Sequence, residues 1–254
     1  LGAAIPHFAH TPLILGPGGQ KLSKRDGATS VAEFRAMGYL PEAIANYMAL
    51  LGWSPPDGQE RFTLAEAAEK FGFDRVNKAG AKFDWDKLNW LNSQVLHALP
   101  TEVLLEKIVP YWQAAGFEFD LDRDRPWLLQ LTETIGPSLT VLPDAVEVGR
   151  TLLVEAVEFT EDARSQVQQA GVAQVLEAIV AQIPTDAALT AETAQTIIGD
   201  VTKAQGVKKG VVMKSLRAGL MGSLKGPDLI QSWLILHQRG LDKARLKAAI
   251  ESHL

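Results

Sequence analysis

The 254-residue sequence contains no cysteine, which excludes a disulfide, a thiolate zinc site and a thiol nucleophile and suits a reducing, cytoplasmic compartment. Histidine is sparse: of His7, His10, His97, His237 and His253 only the first two lie close together, so no protein-held metal is expected. Long hydrophobic runs are missing too. Stretches such as VLEAIVAQI at 175–183 fall far short of the roughly 20 residues that cross a bilayer, so no membrane partner is expected. No signal peptide, repeat or low-complexity segment is visible. The chain opens at Leu1, not methionine, within a segment that reads as extended, and so reads as the C-terminal piece of a longer protein.

Charge is present but unevenly spread. The net charge is -5, yet residues 200–254 hold ten Lys or Arg against four Asp or Glu, a local balance of +6 that leaves -11 for the rest. An acidic body with a basic end suggests an anionic partner that docks at one place, although solvated lysines on helices would give the same count.

The pattern predicts a mainly α protein. The apolar run in IPHFAHTPLIL (5–15) reads as a short strand entering a GPGG turn. Ser30 with Glu33 forms a capping box before a short helix that Gly38 ends, and Thr63 with Glu66 repeats it. Pro41 opens PEAIANYMALLG. Asp84 precedes WDKLNWLNSQVLHAL, in which Leu88, Leu91, Val95 and Leu99 mark one buried face. Trp90 and, further on, Met213 and Met221 are read as core. Pro100 and Thr101 mark a boundary, and further helices are expected at about 126–135, 143–155, 160–182 with a break at Gly171, 190–205, 210–221, 227–238 and 241–252.

The chemistry concentrates in KLSKR at 21–25. Lys21, Lys24 and Arg25 surround Ser23 directly after glycines, and cations so close together are either solvated or hold something strongly anionic. A P-loop is excluded, because Gln20 precedes Lys21 and Leu22 follows it where that motif needs Gly and a hydroxyl. A mobile lysine loop is suited to closing over a phosphate chain as charge develops in a transition state. Ser23 has no histidine base near it in sequence and reads as a loop-shaping hydroxyl.

PLILGPGGQKLSKRDGATSV resembles the KMSKS signature loop of class I aminoacyl-tRNA synthetases, in the form typical of glutamyl-tRNA synthetases. GYLPEAIANYMALLGWSP, AKFDWDKLNWLN and GVKKGVVMKSLRAGLMGSLKGPDL continue the resemblance in order over essentially the whole chain. It implies a short β-containing segment with the loop and stem-contact helices over 1–100, then an all-helical anticodon-binding cage whose subdomains are 101–158 and 159–254. It implies an ATP-dependent glutamate-tRNA ligase acting through a glutamyl-adenylate, with Lys21, Ser23, Lys24 and Arg25 at the ATP and Lys24 as its catalytic cation. ATP would come with Mg2+, held mostly by a preceding half. The family's nucleotide-binding fold, HIGH signature and glutamate pocket are not in these residues, so this span alone is expected to be inactive.

The same resemblance makes Lys82, Lys87 and Asn92 tRNA stem contacts. Lys208, Lys209, Lys214, Arg217 and Lys225 become anticodon-binding cations, with Gly222 and Gly226 exposing amides at the next helix start. In members that reject the glutamine tRNA, an arginine reads the last anticodon base; here Gly136 aligns at that place. The expected partners are therefore tRNA(Glu) and tRNA(Gln), with glutamate and ATP, for a monomer. Gly136 before Pro137 also reads simply as a helix end. A free-standing tRNA-binding module without chemistry is the other reading of the same residues. A glutaminyl-tRNA synthetase is disfavoured, since that family's anticodon part is a β-barrel and no strand alternation follows residue 40.

Overall fold

Helix starts in this chain are set by capping side chains, and the observed boundaries follow them. In the computed structural model, which describes residues 2, 4, 5, 8–16, 18–22 and 30–251, Ser30 Oγ accepts the Glu33 N–H at 3.2 Å while the Glu33 carboxylate accepts the Ser30 N–H at 2.9 Å. This opens α1 (Val31–Ala36); the same reciprocal pair between Thr63 and Glu66 opens α3 (Leu64–Lys70). Pro41 begins α2 (Pro41–Gly52), and the Asp84 carboxylate caps α4 (Trp85–His97). Nine further helices follow among the described residues: α5 (Thr101–Ala114), α6 (Arg125–Ile135), α7 (Asp144–Leu153), α8 (Glu161–Val167), α9 (Val172–Gln182), α10 (Ala191–Ala204), α11 (Lys209–Met221), α12 (Leu229–Gln238) and α13 (Leu241–Glu251). The chain is mainly α, as expected. The strand expected over 5–15 is reduced to isolated bridges, in which Leu15 pairs with Lys21 and with Lys82.

Two compact units are present. The first comprises residues 1–99 with 140–143. Its core joins Phe34, Tyr39, Tyr47, Leu51, Phe83, Leu88 and Leu91, with α2 packed on α4. Phe83 stands at the centre of an aromatic group, edge-on to Tyr47 at 5.0 Å and to Trp85 at 4.9 Å. Such pairs add about 0.5–1.5 kcal/mol each beyond the area they bury. On α4 the buried residues are Leu88, Leu91, Asn92 and Leu96, so Val95 and Leu99 are only half-buried and the face is turned relative to the expected one. Gly38 sits at φ 86°, and a Cβ there would lie 2.2 Å from Pro143 Cδ, so this turn requires glycine twice over.

The second unit comprises residues 100–139 and 144–254. Here α11 packs on α8, α9, α10 and α13, while α12 packs on α6, α10 and α13. Trp112 and Trp233 are fully buried, and each finds an acceptor: the Ala145 carbonyl at 2.8 Å and Asp242 Oδ2 at 3.1 Å. His237 Nδ1 meets the same Asp242 oxygen at 2.9 Å, tying the end of α12 to the start of α13.

A second carboxylate joins the start of α6 to the end of α12. Asp124, 8% exposed, accepts Arg123 Nε at 2.9 Å, the Asp120 amide at 3.0 Å and Arg239 Nη2 at 3.2 Å, while the Arg239 guanidinium lies 4.2 Å from the Trp127 ring centre. Arg123, with the Asp120 amide and Arg239, holds the Asp124 carboxyl well below the usual carboxylate range. A carboxylate depressed on folding contributes stability above its unfolded value, about 3.9, and loses it as pH falls through the folded value. Asp124→Asn is therefore expected to be less stable than the parent at pH 7. The difference should close as urea denaturation is repeated at pH values falling below about 4. A gap constant with pH would remove the charge from the account.

Candidate functional site

Lys21 is positioned by a tight hairpin. The Gly16 N–H donates to the Gln20 carbonyl at 2.7 Å, the Gly19 N–H to the Gly16 carbonyl at 2.9 Å, and Gly19 adopts φ 82°. The returning segment pairs through Leu22 N–H to the Ile14 carbonyl at 3.1 Å and leaves Lys21 exposed. Ser23, Lys24 and Arg25 lie outside the described residues.

The stem-contact candidates separate. Lys82 is exposed, on the segment that pairs with the other side of Leu15. Lys87 is half-buried and ion-paired with Glu60. Asn92 is a correction: it is 0% exposed, accepts the Leu40 N–H at 2.8 Å and donates to the Thr140 carbonyl at 2.6 Å. Both ends of its amide are used, so it braces the unit and presents nothing to RNA. Trp90 is the opposite correction. Read as core, it is 45% exposed on α4, because the buried face passes through Leu88, Leu91 and Leu96 instead.

In the second unit Lys208, Lys209, Lys214 and Lys225 are exposed. Lys208 is the N-cap residue of α11, whose start has no side-chain cap and no acidic residue in its first turn. Free amides and two ammonium groups therefore coincide there. Arg217 is half-buried, donates to the Pro227 carbonyl at 2.8 Å and is pushed down by burial. It holds the 222–228 turn and is not freely offered to a ligand. The next helix start differs from expectation as well. Asp228 caps α12, placing an anion where an anion was to bind, and Gly222 is buried with its carbonyl accepting the Thr160 N–H at 2.8 Å. A Cβ at Gly222 would lie 2.3 Å from the Glu158 carbonyl oxygen. Met221 is core at 1% exposed, whereas Met213, also read as core, is 37% exposed beside Lys214.

Gly136 is buried at the end of α6 with φ −47°, and a Cβ there would lie 3.2 Å from Leu104 Cδ2. Space rather than backbone conformation favours glycine. The neighbouring surface is formed by the exposed Pro137 and Ser138, and no Lys or Arg occurs in 126–149.

The family described as an anticodon binding domain matches residues 103–250, and the catalytic domain of class I tRNA synthetases for E and Q matches residues 1–90. The chain is 58% identical over 247 residues to a glutamate–tRNA ligase of Crocosphaera subtropica, covering 97% of this chain and 51% of that protein. It is 57% identical over 254 residues to the glutamate–tRNA ligase of Trichormus variabilis, covering 100% of this chain and 53% of that protein.

The chain belongs to the glutamyl-tRNA synthetase family.

It spans about half the length of the curated relatives it matches. Among solved structures, a glutamate tRNA ligase from Elizabethkingia meningosepticum in complex with its amino acid superposes with a TM-score of 0.88 at 30% identity, over 100% of this chain and 53% of that one. The glutamate-tRNA synthetase of Elizabethkingia anophelis gives 0.85 at 31% identity, over 98% of this chain and 52% of that one. Within this synthetase family member, no helix among the described residues is long and apolar enough to cross a membrane. No three His, Asp or Glu among them converge on a point that could hold a metal ion.

Proposed function

We propose that this chain is the loop-bearing and tRNA-binding part of a glutamate-tRNA ligase, which joins glutamate to tRNA(Glu) through a glutamyl-adenylate formed from ATP. One observation carries the reading: a single chain holds the hairpin that delivers Lys21 into the KMSKS-type sequence, followed by a helical unit matching the anticodon binding family over 103–250. In this reading Lys21, Ser23, Lys24 and Arg25 face the triphosphate of ATP. Lys87 and the exposed Trp90 face the tRNA stem. The stretches 101–158 and 159–254 form successive parts of the anticodon reader, with RNA phosphate at the uncapped start of α11 beside Lys208 and Lys209, and with Lys214 and Lys225 as further cations. No step is assigned to a metal held by these residues.

The second part of the proposal concerns specificity. Both tRNA(Glu) and tRNA(Gln) are accepted, because the turn at Gly136 carries no guanidinium fork and the interval 126–149 supplies no cation to replace it. The test is binding of the 254-residue chain to both transcripts at two salt concentrations, beside Gly136→Arg and Gly136→Ala. The parent chain is expected to bind both, with affinity falling as salt rises because phosphate contacts release counterions. Gly136→Arg should weaken tRNA(Gln) relative to tRNA(Glu) by about tenfold, the scale of one good bidentate contact to a base. Gly136→Ala reports the cost of moving Leu104 alone and should weaken both tRNAs equally. Equal loss of both tRNAs in the arginine variant would assign Gly136 to packing.

A further inference from the structure

Leu15 is the centre of a small three-segment ladder. Its N–H donates to the Ala81 carbonyl at 2.9 Å and its carbonyl accepts the Phe83 N–H at 2.7 Å, so it lies in parallel register with Lys82. On its other side it pairs antiparallel with Lys21. Residues paired across strands project to the same face, and their chain neighbours project to the opposite one. The opposite face is identified by its packing: Ile14, Leu22 and Ala81 lie against the buried cluster that contains Phe83. Lys21, Leu15 and Lys82 therefore form a row on the outer face. With strands about 4.8 Å apart, the two lysine backbones stand roughly 10 Å from each other.

Both lysines are exposed, and neither has a carboxylate partner among the described residues. Two acids share a cleft with Lys82, and both are occupied: Glu60 is paired with Lys87, and Asp84 caps α4 through the Lys87 N–H at 3.1 Å. Two cations held in register with no carboxylate partner among the described residues, one of them leading directly into the loop at 21–25, form a ready site for an extended polyanion.

We propose that Lys82 is a phosphate-positioning residue of the adenylation step, acting with Lys21 on the triphosphate of ATP, and not the tRNA stem contact that its place in the sequence suggests. The inference rests on the reading that the loop at 21–25 serves ATP. In that step a glutamate carboxylate oxygen bonds to the α-phosphorus and the bond from that phosphorus to the bridging oxygen breaks. The electron pair leaves with pyrophosphate. Negative charge thus grows on the departing group, where ammonium groups on a hydrogen-bonded ladder meet it without reorganising.

The test uses the full-length synthetase with Lys82→Ala, Lys82→Arg and Lys21→Ala, measuring glutamylation at varied ATP and, separately, the Kd for tRNA(Glu). Lys82→Ala is expected to lower kcat/KM for ATP about tenfold, the scale of one charged hydrogen bond, with the Kd for tRNA and the Tm unchanged and with Lys82→Arg restoring most of the loss. Unchanged ATP kinetics, or a weaker tRNA Kd with unchanged ATP kinetics, would overturn the assignment. Lys21→Ala separates the two levels. If it impairs ATP use while Lys82→Ala does not, only the role of Lys82 fails; if neither variant affects ATP use, the reading of the loop fails with it.

Discussion

Replacing Lys24 by alanine in the full-length synthetase is expected to slow glutamyl-tRNA formation by about 100- to 1000-fold, the loss of about 3–4 kcal/mol that accompanies removal of one preorganised contact to developing charge. Lys24 lies three residues beyond Lys21, which the hairpin fixes by the Leu15 pairing, so the chain is anchored immediately before the cations proposed to act. A contact made chiefly in the transition state lowers kcat and kcat/KM together and leaves ground-state affinity little changed. The variant should therefore bind ATP and tRNA(Glu) as the parent does and fail in the chemical step. Lys24→Arg keeps the charge but replaces a compact ammonium by a planar fork, and partial recovery is expected. A Lys24→Ala enzyme that glutamylates at the parent rate would remove the residue from the mechanism, whereas a rise confined to the KM for ATP would make it a ground-state clamp.

The helices were legible because their determinants are local. Ser30 with Glu33, Thr63 with Glu66, Asp84, and Gly171 at φ 85° each act within one helical turn, so spacing along the chain was enough. Polar side chains whose partners come from distant sequence were not legible. Along the chain Asn92 reads as an RNA contact and Arg217 as a free cation, but Leu40 and Thr140 occupy the first and the Pro227 carbonyl holds the second. Trp90 and Met213 are exposed, against expectation, for a related reason. A helix with apolar residues on more than one side leaves open which side turns inward, and tertiary packing decides. The row of Lys21, Leu15 and Lys82 needed strand register, which no local pattern encodes.

The basic end of the chain shows the same limit most clearly, since one of its ten cations is not a surface charge at all. Arg245 is 4% exposed on α13, where Nε donates to the Glu155 carbonyl at 3.1 Å and Nη1 to the Thr151 and Leu220 carbonyls, each at 2.7 Å; Nη2 donates to the Val154 carbonyl. The Thr151 and Leu220 carbonyls lie in the last turns of α7 and α11, where a helix cannot satisfy its carbonyls internally, and Val154 and Glu155 follow α7 directly. Burial pushes the guanidinium down to about 10, so it remains charged at neutral pH and complements both helix ends. Arg245→Met keeps the length of the stem and removes every donor. At about 1–3 kcal/mol for each buried acceptor left without a partner, and with part of the sum returned because a buried cation is gone, a net loss of about 3 kcal/mol is expected. For a chain of this size that lowers Tm by roughly 6–12 °C. Arg245→Lys should lose less, because its ammonium still reaches some of the carbonyls, though without the fork. Binding of tRNA(Glu) well below the transition separates this role from an RNA contact. If Arg245 holds α7 and α11 in place, the folded Arg245→Met chain binds as tightly as the parent and with the same salt dependence. A shallower salt dependence at full folding would place the guanidinium on a phosphate instead.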